Sequence, residues 1–149
     1  MKKVLVDTNV ILDVLLDKQP HVGASVAGWA AIETGSIEGV LAAHAVSKIH
    51  YLIRKDLGNA RAKRMVAAML RVFGVASVDG PVIRLALNLP LSDFEDAVTA
   101  AAAQVAACDY IVTRDPKGFR GCGMRSLCRK LLCRCSEIGK VLFRERIGR

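Results

Sequence analysis

Four short apolar runs, separated by longer stretches with helical spacing, constrain the fold of this chain most strongly. The runs lie at 4–6, 39–42, 75–78 and 109–113. In the first of them, Val4-Leu5-Val6, apolar and polar residues do not alternate, which is typical of a strand buried on both faces of a parallel sheet. Because strands alternate with helices along the chain, the sequence predicts an α/β fold with a central, mostly parallel sheet.

The stretches between these runs carry the spacing and the boundary signals of helices. Helices are predicted at about 10–16, 21–34, 44–55, 59–73, a short stretch after Asp79, and 93–108. Asn59 is a residue type that often caps a helix N-terminus. Ser92-Asp93-Phe94-Glu95 matches a capping box, which predicts that Asp93 and Asp96 lie in the first turn of the last helix.

Positive charge is concentrated in the last part of the chain. The 149 residues carry a formal net charge of +8. Residues 1–115 contain 12 basic and 12 acidic residues, whereas residues 116–149 contain 10 basic residues against only 2 acidic ones. Composition therefore separates a domain at 1–119 from an atypical basic, Cys- and Arg-rich segment at 120–149. The charge is weak support for nucleic-acid binding by the domain itself.

No part of the sequence predicts a membrane span or a secretion signal. The longest apolar stretch, 97–108, is interrupted by Thr99 and Gln104 and is too short to cross a bilayer. The apolar run near Met1 ends at Asp7, before it reaches the length of a signal peptide. We therefore expect a cytoplasmic protein whose five cysteines are reduced.

The C-terminal segment holds most of the cysteines, in a C-x5-C-x4-C-x-C arrangement. They are Cys122, Cys128, Cys133 and Cys135. Structural zinc sites favour closer pairs of cysteines, and no histidine lies nearby, so free or buried thiols are the simpler interpretation. Zinc binding is the alternative.

Acidic residues stand where two of the predicted strands end. Asp7 directly follows the first strand and Asp115 lies just past the last one. Ligands of parallel α/β sheets bind at the carboxyl ends of the strands, which is where both residues are expected. Asp93 and Asp96, three residues apart, share one face at a helix N-terminus, whose partial positive charge favours ionised carboxylates.

Carboxylates that lie close together repel one another, so a cluster of them has to be stabilised in some way. Two unit charges about 4 Å apart repel by roughly 4 kcal/mol at an effective dielectric constant near 20. Such a cluster therefore takes up protons or binds a cation, and its oxygen ligands suit Mg²⁺ or Mn²⁺. Bound ions of this kind activate water for hydrolysis of a phosphodiester. The alternative is that the four residues are ordinary loop and helix caps.

Three blocks of sequence, in this order, resemble the PIN-domain ribonuclease family, in its bacterial branch of VapC-type toxins. The blocks are Val4-Leu5-Val6-Asp7-Thr8-Asn9-Val10, Asp93-Phe94-Glu95-Asp96-Ala97 and Ile111-Val112-Thr113-Arg114-Asp115, and the likeness spans about 3–119. The resemblance implies a three-layer α/β fold, with the sheet between helices, and a divalent-metal-dependent endoribonuclease.

The resemblance also implies roles for single residues. Asp7, Asp96 and Asp115 match the catalytic acids of the family and are expected to bind Mg²⁺ or Mn²⁺, with Asp93 as an additional ligand. The expected supporting residues are Thr8, Asn9 and Thr113. The implied partners are an RNA substrate, an antitoxin protein and a second copy of the chain in a homodimer.

The clearest departure from the family is at position 48. The family has an acidic residue early in the helix after the second strand, and Lys48 stands there in this chain. An acid-to-lysine change adds two units of positive charge beside the expected metal. One interpretation is that Lys48 extends to solvent and the nuclease tolerates it. The other is a degenerate PIN module that binds RNA or an antitoxin without cleaving.

The sequence also differs from the family pattern near position 48, at Gly118 and in the C-terminal segment. His44, one turn before Lys48, is expected to cap the helix or contact solvent, with a ligand role as the alternative. Gly118 stands where many relatives carry another Asp. The segment 120–149 is either a basic extension that binds RNA phosphates or the product of a frame change in the gene.

Overall fold

A computed structural model describes residues 1–16 and 22–128 of the chain. In these ranges the backbone forms one sheet, and helices connect its successive strands. The strands are β1 (Lys3–Val6), β2 (Glu38–Ala42), β3 (Gly74–Ala76), β4 (Tyr110–Thr113) and β5 (Arg125–Cys128). The helices are α1 (Thr8–Leu15), α2 (Val22–Glu33), α3 (Ala43–Leu57), α4 (Asn59–Met69), α5 (Gly80–Leu87) and α6 (Phe94–Val105), and a 3-10 turn (Pro116–Phe119) follows β4.

The sheet is parallel throughout, with the strand order β3-β2-β1-β4-β5. The first strand of the chain is thus the central one. Val6 lies opposite Val112 of β4, and the backbone N–H of Asp7 donates to the carbonyl oxygen of Val112 at 2.9 Å. Because β1 and β4 end side by side, the residues that follow them lie at the same edge of the sheet. The predicted parallel α/β architecture is confirmed.

Helices cover both faces of the sheet, which makes the fold three-layered as expected. Successive residues of β1 point to opposite faces, so Leu5 packs in one core with α5 and α6 while Val4 and Val6 pack in the other. The second core contains buried residues of α1, α2, α3 and α4. Fully burying a Val, Leu or Ile side chain contributes about 1.5–3 kcal/mol, so both cores stabilise the central strand.

Helix boundaries follow the sequence signals with local differences. Asp79 caps α5, since its Oδ1 accepts from the N–H of Val82 at 3.1 Å. The capping box at Ser92 is wrong, because the N-cap of α6 is Asp93. The predicted extension of this helix to residue 108 is also wrong. Ala107 adopts a left-handed conformation, with φ of 55°, which ends the helical backbone before that point.

The sheet extends into the segment that composition had set apart. Strand β5 pairs in parallel with β4, and Thr113 lies opposite Cys128. Cys122 is a buried free thiol. The rest of the predicted C-terminal segment, with Cys133 and Cys135, lies outside the described residues. Within the ranges described, no helix has the length and apolar character needed to cross a membrane.

Candidate active site

Asp7 is held at the junction between β1 and α1. It is the N-cap of α1, and its Oδ1 accepts a hydrogen bond from the backbone N–H of Thr8 at 2.8 Å. Thr8 is buried, and it contacts Asp7 through this backbone N–H. Asn9 is exposed, and none of the hydrogen bonds found in the described part of the chain joins it to Asp7. One oxygen of the Asp7 side chain is therefore held by the first turn of its own helix.

Thr113 connects Asp7 to the segment that carries Asp115. Its hydroxyl donates to Oδ2 of Asp7 at 2.9 Å and accepts from the backbone N–H of Asp115 at 3.1 Å. The side chain of Thr113 is almost fully buried, at 1% exposure, so both hydrogen bonds are shielded from water. One hydroxyl thus fixes the end of β4 against the end of β1. The two strand-end aspartates are brought together, as the topology predicted.

The other two predicted ligands start helix α6. Oδ1 of Asp93 accepts from the backbone N–H of Asp96 at 2.9 Å, which satisfies one of the unpaired donors at the helix start. Asp93 is exposed and Asp96 is partly buried. The exposed Asp93 thus caps the helix that carries Asp96.

The carboxylates converge on Asp96. Its pKa is raised from 3.8 to about 6, first by burial and then by the negative charges of Asp93, Asp7, Glu95 and Asp115. Burial also raises the pKa of Asp7, against the hydrogen bonds from Thr113 and Thr8 that lower it. The acids predicted from three separate parts of the sequence therefore form one electrostatic unit.

Gly118 lies between two of these acids. A Cβ atom at this position would be 3.0 Å from Oδ2 of Asp96 and 3.8 Å from Oδ2 of Asp115. A side chain here would therefore be in tight contact with the carboxylate of Asp96, and the glycine lets the backbone lie directly beside both acids.

Lys48 lies at the site, where the family acid was expected, and forms an ion pair with Glu95. Its Nζ is 2.7 Å from Oε1 and 2.9 Å from Oε2 of Glu95, so both carboxylate oxygens are contacted. The two side chains are 45% and 44% exposed. Sequence reasoning missed this role of Glu95, because the glutamate was interpreted as part of a capping box. Nothing in the sequence of either helix indicates that these two side chains meet.

The ring of His44 lies within electrostatic range of the acidic cluster. Both ring nitrogens are buried and have no hydrogen-bond partner in the part of the chain that is described. Burial lowers the pKa of His44, with smaller effects from Glu95, Lys48 and Asp7. The expected solvent contact is wrong, since a neutral ring faces the site from the first turn of α3.

A second ion pair below the site was not predicted from the sequence. Asp13 of α1 is fully buried, and its Oδ1 lies 3.3 Å from Nη1 of Arg114. Arg114 immediately precedes Asp115, so the pair links the strand-end loop to α1. An aspartate inside the apolar run Ile11-Leu12-Asp13-Val14-Leu15 was the signal, because a buried charge needs a partner.

The donor set suits a hard divalent cation. The carboxylates that act on Asp96 offer oxygen ligands, which Mg²⁺ and Mn²⁺ prefer, and their negative charges add to burial in raising the pKa of Asp96. Among residues 1–16 and 22–128, no group of three or more His, Cys, Asp or Glu side chains has the close arrangement of a complete metal site. The residue types thus suit such a cation by their chemistry, whereas their arrangement in the described ranges is not that of a complete metal site.

Solved structures with the same fold come from toxin–antitoxin systems. FitAcB from Neisseria gonorrhoeae superposes with a TM-score of 0.70 at 20% identity, covering 85% of this chain and 97% of that one. A toxin–antitoxin complex from Klebsiella pneumoniae gives 0.63 at 17%, covering 85% and 97%. VapC20 from Mycobacterium tuberculosis, a toxin that cleaves the sarcin-ricin loop, gives 0.59 at 16%, covering 72% and 86%.

The family is established by the sequence itself. A search of curated proteins found no significant match to this chain. The PIN-domain family model, in contrast, matches residues 3–117, which include all of the proposed acidic ligands. The chain therefore belongs to the PIN-domain family.

Proposed function

We propose that this protein is a divalent-metal-dependent endoribonuclease that hydrolyses phosphodiester bonds of RNA. The observation that carries the proposal is the convergence of Asp7, Asp93, Glu95 and Asp115 on Asp96, at the carboxyl edge of a PIN-domain sheet. Four carboxylates near a fifth are costly unless a cation neutralises them. A metal-dependent phosphodiesterase uses the cation that such a cluster binds.

Asp7, Asp96 and Asp115 would hold Mg²⁺ or Mn²⁺, and Asp93 would assist from the rim. When bound, the ion supplies Lewis-acid activation of water and neutralises the charge of the phosphate. Thr113 keeps Asp7 and the Asp115 backbone in register through its two hydrogen bonds. Asp96 has to be deprotonated for this role, so its pKa of about 6 leaves it competent at neutral pH.

The biological setting we propose is that of a toxin held by an antitoxin. Structures with the same fold include a toxin–antitoxin complex and a toxin that cleaves RNA. By analogy, the partners of this chain would be a small antitoxin protein and a second copy of itself in the cytoplasm. Co-purification with the product of an adjacent small open reading frame, and sedimentation of the purified protein, test these two partners separately.

Single-turnover cleavage of a mixed-sequence RNA with Mg²⁺ or Mn²⁺ tests the activity directly. Asp7→Asn keeps the size of the side chain and removes its charge, so it is expected to abolish cleavage. Equal products from both proteins would identify a contaminating nuclease. Absence of cleavage by the wild-type protein with either metal would contradict the proposal.

The second candidate is a PIN module that has lost catalysis but still binds RNA or an antitoxin. The ion pair between Lys48 and Glu95 favours it, because a cation already occupies the rim of the carboxylate cluster. Titration of the protein with Mn²⁺ by calorimetry separates the candidates. Binding in the micromolar range supports the enzyme, whereas no binding at millimolar Mn²⁺ supports the non-catalytic module.

A further inference from the structure

The lysine at position 48 provides a fixed positive charge at the rim of an acidic site. We propose that Lys48, positioned by Glu95, contacts a backbone phosphate of the RNA substrate. The inference depends on the proposed function for its ligand class, single-stranded RNA. It assigns a binding role to the residue that departs most from the family.

The position of the ammonium group is set by two elements of the fold. Lys48 lies on α3 and Glu95 on α6, and both oxygens of the carboxylate are within 2.9 Å of Nζ. A long lysine side chain loses considerable rotamer freedom when it is ordered. Glu95 imposes that order before any ligand arrives, so a phosphate meets a cation that is already in place.

The ammonium group can still accept a ligand. It has three N–H donors, and the contacts with Glu95 use two of them. The side chain is 45% exposed, so the remaining donor is accessible from solvent. A phosphate oxygen is a suitable acceptor for it, because hydrogen bonds between two charged groups are the strong ones.

The surrounding charges explain why such a cation is needed. The charges of both Lys48 and Glu95 act on Asp7, which places the pair beside the proposed metal ligands. Arg114, the basic residue next to Asp115, is directed toward the buried Asp13. An RNA strand that approaches the carboxylates is repelled by them, and Lys48 offsets this repulsion at the point of entry.

The test measures RNA binding separately from cleavage. A fluorescein-labelled single-stranded RNA of mixed sequence is titrated with protein in Ca²⁺, and a gel confirms that the probe stays intact. Fluorescence anisotropy at several salt concentrations gives the affinity and its salt dependence. Lys48→Met should weaken binding several-fold and reduce the slope of log K against log salt by about 0.7, the value for one phosphate contact on a single strand.

Two variants control for charge and for folding. Lys63→Met removes an exposed lysine of the adjacent helix α4 and should leave both quantities nearly unchanged. Lys48→Arg keeps a cation and should retain most of the affinity, while thermal melting verifies that all three variants are folded.

Equal loss of affinity in Lys48→Met and Lys63→Met would overturn the inference, since any surface lysine would then contribute alike. So would unchanged binding in Lys48→Met. In both cases, cleavage by the wild-type protein would leave the proposed function standing. A wild-type protein that neither binds nor cleaves the RNA would overturn the two together.

Discussion

The hydroxyl of Thr113 donates to Oδ2 of Asp7 at 2.9 Å while it accepts from the backbone N–H of Asp115 at 3.1 Å. A single buried side chain therefore couples two acids that are more than a hundred positions apart in the sequence. The coupling matters because the two acids are placed by different strands. Without it, backbone pairing and the ion pair between Arg114 and Asp13 would hold their relative positions.

Thr113→Val should reduce both stability and cleavage. The valine fills the same volume but leaves the buried Asp7 carboxylate without this donor and the Asp115 N–H without its acceptor, at a cost of about 1–3 kcal/mol. Urea denaturation measures the free energy of unfolding. Thr113→Ser keeps the hydroxyl and should lose less than half as much. Equal losses in the two variants would show that the methyl group, rather than the hydroxyl, stabilises this position.

The raised pKa of Asp96 predicts a stability that falls as the pH rises. In the folded protein this pKa is about 6 instead of 3.8, so between these values the native state binds more protons than the unfolded state. Its contribution is therefore most favourable below about pH 4 and is lost as the pH rises through 6. Asp96→Asn removes this effect and should be more stable than the wild type at pH 8, by about 1 kcal/mol or less because the site is solvent-screened.

Thermal melting at pH 4 and pH 8 checks this expectation, because the difference between variant and wild type should appear only at the higher pH. Asp56→Asn, which removes an exposed acid of α3, serves as the control. A stability difference for Asp96→Asn that is the same at both pH values would contradict the raised pKa of Asp96.

Lys48→Glu should tighten metal binding. The substitution exchanges a positive for a negative charge beside the carboxylate cluster and releases Glu95 from its ion pair. We expect the affinity for Mn²⁺ in calorimetry to rise about tenfold, equivalent to about 1.4 kcal/mol. Lys63→Glu makes the same change of charge on α4 and should alter the affinity far less. An unchanged Mn²⁺ affinity in Lys48→Glu would place the metal away from this pair.

Breaking the ion pair below the site should destabilise the fold. Asp13 is fully buried, so Arg114→Met leaves its charge without the nearby guanidinium, at a cost of about 2–4 kcal/mol given that Arg114 is 28% exposed. Replacing both residues, Asp13→Leu with Arg114→Met, removes the buried charge as well and should recover part of the loss. Urea denaturation of the single and double variants measures this, and a single variant as stable as the wild type would contradict it.

The order of strands and helices could be predicted from the sequence because the period of the apolar residues changes between them. Val4-Leu5-Val6 needs apolar neighbours on both faces, and the central position of β1 provides them. The placement of Asp7 and Asp115 followed from topology, since parallel strands end at one edge. Motif resemblance then supplied Asp93 and Asp96, which spacing alone left open as helix caps.

Contacts between elements that are far apart in the chain could not be predicted from the sequence. Lys48 and Glu95 are 47 positions apart, and nothing in either helix shows that their side chains meet. An aspartate in an apolar run indicates that Asp13 has a partner. That this partner is Arg114 depends on the packing of α1 against the end of β4, which the sequence does not show. The sequence also left open whether Ser92 or Asp93 is the N-cap of α6, because both residue types cap helices well.

A sheet in which every strand runs the same way has two chemically different edges. Strand β1 begins at Lys3, at the amino ends of the strands. Strand β5 ends at Cys128, at the carboxyl ends of the strands, where Asp7 and Asp115 lie. With four residues in β1, the two edges are separated by about 13 Å. A dye or affinity tag joined to Met1 therefore starts at the far end of the sheet from the acids, whereas one inserted after Cys128 starts at the same end as they do.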